Sequence, residues 1–142
     1  MVHWIKPKIA IDINKHLAAK ENLNHIVYKN LLEGALHAPI NHHEYNGTND
    51  MAELAAIYIR SIAKDHCFAD GNKRTSLLVG VFFLMKNNYY VVDTKSLSFP
   101  TEANNNQGSE FHTKIVHLVE KKIELPEISQ WIKDNFFEAI FK

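Results

Sequence analysis

Residues 66–85 read HCFADGNKRTSLLVGVFFLM. The second half decides the fold. From Leu77 to Met85 the side chains are apolar almost all round a helix, and a helix apolar on every side is normally the central member of a bundle. The run is far shorter than the ~20 residues that cross a bilayer. The pattern therefore predicts a buried helix from about Asn72 to Lys86, with no membrane involved.

Upstream, Asp50 and Glu53 have capping-box spacing, with Asp in place of the usual Ser or Thr. They open a helix whose buried face is Leu54, Ile57, Tyr58 and Ile62. Pro7 suits the first position of another helix, on which Ile9, Ile13 and Leu17 repeat every four residues. Asn24–Leu36 is a further candidate, with Val27, Leu31 and Ala35 on one stripe. Between these elements His42–Thr48 is polar and holds the pair Asn46-Gly47, which favours a tight turn.

Downstream, Tyr89–Val92 reads as a short extended segment and Asn104–Gly108 as the best loop. Ser109 caps a helix to about Lys122, and Pro126 opens a last one reaching Phe141. The sum is an all-α bundle of about six helices with at most a short hairpin. With no linker and no internal repeat, residues 1–142 form one domain.

Lys and Arg number 16, Asp and Glu 16. That balance argues against a protein that coats nucleic acid, so no direct nucleic-acid binding is expected. An apolar fraction of 46% excludes a disordered chain. Residues 1–10 hold scattered charges and no apolar core of a signal peptide. The lone Cys67 fits a reducing, cytoplasmic setting. Only two of the 16 basic residues, Arg60 and Arg74, are arginine.

The first half of the opening stretch carries the chemistry. His66 ends one helix and is the natural proton acceptor near neutral pH. Asp70 offers the hard oxygen that magnesium prefers. Gly71 and Asn72 begin the next helix, whose free N–H groups and dipole face an anion. Lys73 and Arg74 set two cations there, against the dipole, which a purely structural first turn would avoid. Base, metal ligand, anion site and cations together point to phosphoryl chemistry.

At these residues the sequence resembles the Fic/Doc superfamily, and within it the death-on-curing (Doc) toxin branch. His66, Phe68, Asp70, Gly71, Asn72, Lys73 and Arg74 all match the pattern His-x-Phe-x-Asp-(Gly or Ala)-Asn-Lys-Arg. Fic enzymes, which transfer AMP to protein hydroxyls, carry Gly where this chain has Lys73. They also carry a second Arg where it has Leu77. Both departures favour Doc. The likeness in pattern runs from about Asn24 to Val92.

The resemblance implies a compact Fic/Doc-type helical bundle and a transferase, a protein kinase using ATP and Mg²⁺. His66 would deprotonate a Ser or Thr hydroxyl of the target, and Asp70 would hold the nucleotide's Mg²⁺. The Gly71 and Asn72 backbone would form the anion hole, with the Asn72 side chain fixing the loop or a phosphate. Lys73 and Arg74 would bind phosphates, and Phe68 would anchor the loop in the core. Doc-type proteins pass the γ-phosphate of ATP to elongation factor Tu, blocking translation, and a Phd-like antitoxin neutralises them. The alternatives are a Fic-type AMP-transferase and a catalytically silent regulator with the same fold. By position, His42–Thr48 corresponds to a flap hairpin that aligns the target through main-chain pairing, with Tyr45, Asn46 and Gly47 as its docking residues.

Other features have plainer readings. His37, His42, His43 and Glu44 lack a recognised metal-ligand spacing, so a polar flap is preferred over a zinc site. Cys67 reads as an incidental neutral thiol. The self-inhibitory pattern of many Fic proteins is met only by Ser98 to Glu102, broken by Pro100 and followed by Ala103, so inhibition by a separate antitoxin is expected.

Overall fold

The computed structural model describes residues 1–100 and 107–140. Six α-helices are present among them: α1 (Pro7–Glu21), α2 (Lys29–Asn46), α3 (Met51–Lys64), α4 (Asn72–Lys86), α5 (Glu110–Val119) and α6 (Leu125–Asn135). Two short strands, β1 (Tyr89–Val91) and β2 (Phe136–Glu138), pair antiparallel, with Tyr90 opposite Phe137. The architecture is helical. The expected loop residues Asn104, Asn105 and Asn106, the weak inhibitory match at Glu102 and Ala103, and the expected helix end at Phe141 lie outside the described residues.

Helix α3 lies at the centre, packed against α2, α4, α5 and α6. Asp50 caps it as expected, its carboxylate accepting from the Glu53 N–H at 3.2 Å. Leu54, Ile57, Tyr58 and Ile62 are all buried. Tyr58 stays satisfied in the core because its hydroxyl accepts from the Ile5 N–H at 3.0 Å. Its neighbour α4 comes very close at Gly80, where an added Cβ would meet Ile59 at 2.7 Å. Burying Leu77, Phe83 and Leu84 at that interface stabilises it by about 1.5–3 kcal/mol each. Helix α4 is not covered all round: Phe82 and Met85 are exposed. Leu78 and Phe82 line an apolar groove of about 320 Å³ with Ile9 and Ile13 of α1.

In α1, Ala10, Asn14, Leu17 and Ala18 are buried, and Ile9 and Ile13 pack against the core while lining the groove. Four sequence expectations need correction. The central place expected for α4 belongs to α3. Helix α2 begins at Lys29, because residues 26–28 are drawn out to bond the chain at residues 67–69. Helix α6 stops at Asn135, since Phe136–Glu138 satisfies its backbone better against β1 than in a further turn. Last, His42–Thr48 is not a hairpin. α2 runs on to Asn46, and Gly47, at φ +65°, caps it with its N–H donating to the His43 carbonyl at 2.9 Å. An Asn-Gly pair serves a helix end as readily as a hairpin, because both need a residue with positive φ. Tyr45 and Asn46 sit in the last turn of α2, with Tyr45 almost fully exposed.

Among the described residues no helix is long and apolar enough to cross a membrane. No group of three or more His, Cys, Asp or Glu is arranged there to hold a metal, so His42, His43 and Glu44 form no zinc cluster. Instead His42 pairs with Glu53 across the α2–α3 junction at 3.2 Å.

Candidate active site

The loop joining α3 to α4 is built from the inside outward. Phe68 is buried, with 1% of its surface exposed, and fixes the loop to the core. Its backbone is held twice by Asn72. The Phe68 N–H donates to Asn72 Oδ1 at 3.0 Å, and Asn72 Nδ2 donates to the Phe68 carbonyl at 2.8 Å. The Asn72 side chain thus fixes the loop. On the other side residues 26–28 run alongside: Tyr28 N–H donates to the Cys67 carbonyl at 2.8 Å and Ala69 N–H to the Ile26 carbonyl at 3.0 Å. Cys67 is fully buried, and burial pushes its thiol up to about 11, with Asp65 adding to the shift. It stays neutral and is no nucleophile.

His66 follows the last turn of α3 at φ +51°. A residue with a β-carbon bears about 1–2 kcal/mol of strain there, and the position often belongs to glycine. The side chain is exposed, and its ring makes no hydrogen bond among the described residues. It is free to meet an incoming group.

Asp70 does not cap α4. Its Oδ2 accepts from the Asn24 N–H at 3.1 Å, and Oδ1 has no partner among the described residues. One open carboxylate oxygen fits magnesium, which takes one or two protein carboxylates and completes its shell with water and phosphate.

Gly71 is the N-cap of α4 at φ +76° and supplies no side-chain cap. The N–H groups of the first turn are therefore left to an external acceptor. Gly71, Asn72, Lys73 and Arg74 line one cleft of about 300 Å³ with Glu21, Leu23 and His112. His66, Phe68 and Asp70 are not among its lining residues. Lys73 is exposed. Arg74 is held: its guanidinium pairs with Glu21 at the end of α1, donates to the Pro100 carbonyl at 3.0 Å and lies over the Phe99 ring.

Glu21, Asn14 and His112 escaped the sequence reading. Glu21 carries no signal beyond a charge at a helix end. Asn14 could have been found as a polar residue four after Ala10 and three before Leu17, on the buried stripe of α1. His112 is the third residue of α5, and Ser109 Oγ accepts from its N–H at 3.1 Å. Burial lowers its pKa, and the charges of Arg74 and Lys73 lower it further.

The Glu21–Arg74 pair has a measurable consequence. Both side chains are about three-quarters covered, so a phosphate reaching Arg74 competes with a carboxylate already there. Glu21→Gln removes that charge and keeps a hydrogen-bond acceptor. Affinity for inorganic pyrophosphate, measured by calorimetry, is expected to rise about fivefold, equivalent to roughly 1 kcal/mol. A fall would mean that Glu21 holds Arg74 in the binding posture.

Fold and site define a helical protein organised round a histidine-bearing loop and a helix start open to anions. The chain belongs to the Fic/DOC family, whose model matches residues 4–84. It is similar to the protein named "Protein kinase doc" of Escherichia phage P1, at 37% identity over 54 residues. That alignment covers 38% of this chain and 43% of the relative, so the chain matches less than half of the relative's length.

Proposed function

We propose that this chain is a Doc-like toxin that transfers the γ-phosphate of Mg·ATP to a Ser or Thr hydroxyl of a translation factor. The observation that carries the reading is the uncapped start of α4, with Lys73 and Arg74 on the same cleft. Its N–H groups hold the phosphates, and the two cations balance charge that grows as the phosphate moves. His66 takes the proton from the target hydroxyl, and its exposure lets a protein surface reach it. Asp70, with one carboxylate oxygen left open, would hold the magnesium. When bound, Mg·ATP supplies the transferable phosphate. The resemblance to Doc proteins makes elongation factor Tu the target to try first and a Phd-like antitoxin the partner.

The test uses α-labelled and γ-labelled ATP in parallel incubations with elongation factor Tu. Label from the γ position alone is expected in the target. Label from the α position would instead make the chain an AMP-transferase. Failure of both labels to transfer, with undiminished growth inhibition, would favour a silent regulator.

A further inference from the structure

Asn14 of α1 is a polar side chain in the core, with 1% of its surface exposed. Both donors of its amide are turned toward the start of α4. Nδ2 donates to the Asp70 carbonyl at 2.9 Å and to Thr75 Oγ1 at 3.1 Å. Oδ1 lies 2.7 Å from His25 Nδ1. The Asp70 carbonyl only accepts, which fixes Nδ2 toward it and Oδ1 toward His25; an amide oxygen also only accepts, so that His25 nitrogen carries the proton.

The two donor bonds straddle Gly71. One grips the residue before it, Asp70, and the other grips Thr75, whose own N–H donates to the Gly71 carbonyl at 2.9 Å. The Asn14 amide also lies 3.5 Å from where a Gly71 Cβ would stand. A single buried amide therefore spans the turn that aims the first N–H groups of α4. The same bond to the Asp70 carbonyl, with the Asn24 N–H on its carboxylate, holds that residue at both ends.

We propose that Asn14 is a positioning residue for the anion site: it sets the orientation of the α4 N-terminus and of Asp70 without touching the ligand. The inference rests on the reading of that site as the Mg·ATP cleft. Removing the Asn14 amide leaves its buried partners unsatisfied and costs stability whatever its role. A positioning role is therefore read from ligand binding, measured where the variant is folded.

The test compares Asn14→Leu, Asn14→Ala and Ile132→Ala with the unaltered protein. Asn14→Leu keeps the volume and removes every side-chain bond. Asn14→Ala removes the same bonds with no added bulk or charge, so it serves if the Leu variant does not fold. Ile132 is buried in α6, outside the cleft, and its truncation supplies a destabilised control. Melting temperatures are measured first, and Mg·ATP binding is then titrated calorimetrically well below the lowest of them. Binding is expected to weaken roughly tenfold or more in the folded Asn14 variants and to be unchanged in Ile132→Ala. Folded Asn14 variants that bind as the unaltered protein does would overturn the proposal. Unaltered protein that binds no Mg·ATP would overturn the functional reading and this inference with it.

Discussion

Replacing His66 by alanine is expected to reduce phosphate transfer by roughly 10²–10⁴-fold, the range lost with a general base, and to leave Mg·ATP affinity unchanged. His66 does not line the cleft that gathers Gly71, Asn72, Lys73 and Arg74, so binding and chemistry should separate. Rates come from single turnovers with γ-labelled ATP, affinities from calorimetry. Growth inhibition should vanish with the rate. A variant that still transfers phosphate at the original rate would remove His66 from the mechanism. His66→Gly sharpens the point. At φ +51° glycine relieves the strain of a β-carbon, offset in part by its freer unfolded chain. Stability should hold or rise by up to about 1 kcal/mol while activity is lost. A residue whose replacement improves the fold and abolishes turnover is kept for its chemistry.

Phe68→Ala is expected to cost about 3–5 kcal/mol, as truncation of a fully buried aromatic does. For a chain of this size that corresponds to a fall in Tm of roughly 10–17 °C. The effect should reach beyond stability. The Phe68 backbone is the partner of the Asn72 side chain and pairs with Val27 in a single β-bridge. Loss of the ring therefore loosens the loop and the start of α4 together. Denaturant unfolding measures the first effect. The second appears as weaker Mg·ATP binding at a temperature where the variant is still folded. Full stability in Phe68→Ala would mean that the ring is not the anchor.

The helices around the motif were the legible part of this sequence. Asp50 with Glu53, Ser109 and Pro126 marked helix starts that the structure contains, because caps are local chemistry and need no tertiary partner. The apolar run of α4 announced a long helix packed into the core, but the central place it suggested belongs to α3, and Phe82 and Met85 of α4 are exposed. What misled was any signal with two local solutions. Asn46-Gly47 suits a hairpin or a helix end, and the α3 contacts of α2, including His42 to Glu53, decided for the helix. Residues 24–28 have helical spacing, yet backbone bonding to a loop some forty residues later draws 26–28 out. Phe136 and Phe137 continue the α6 pattern, but β1 offers them a strand. Each of these outcomes depends on a partner distant in sequence.

The candidate site divides along the same line. The motif residues stood out together, because chemistry packed into ten positions leaves a pattern. Their supports, Asn14, Asn24 and His25, and the lining residues Glu21 and His112, lie outside the motif on α1, in the segment after it and on α5. Single polar residues on otherwise ordinary elements carry little pattern.

The bonding between residues 26–28 and 67–69, with Cys67 and Phe68 in the core, leaves the motif loop little freedom to rearrange. It is a preorganised cradle. A ligand docking there has almost no backbone entropy to remove, so affinity should be set by contacts and desolvation. Under the proposed function, control is expected at the rim, on the Glu21–Arg74 pair, the exposed Lys73 and the exposed His66. A neutralising partner is then expected to act by covering these side chains, with the fold unchanged.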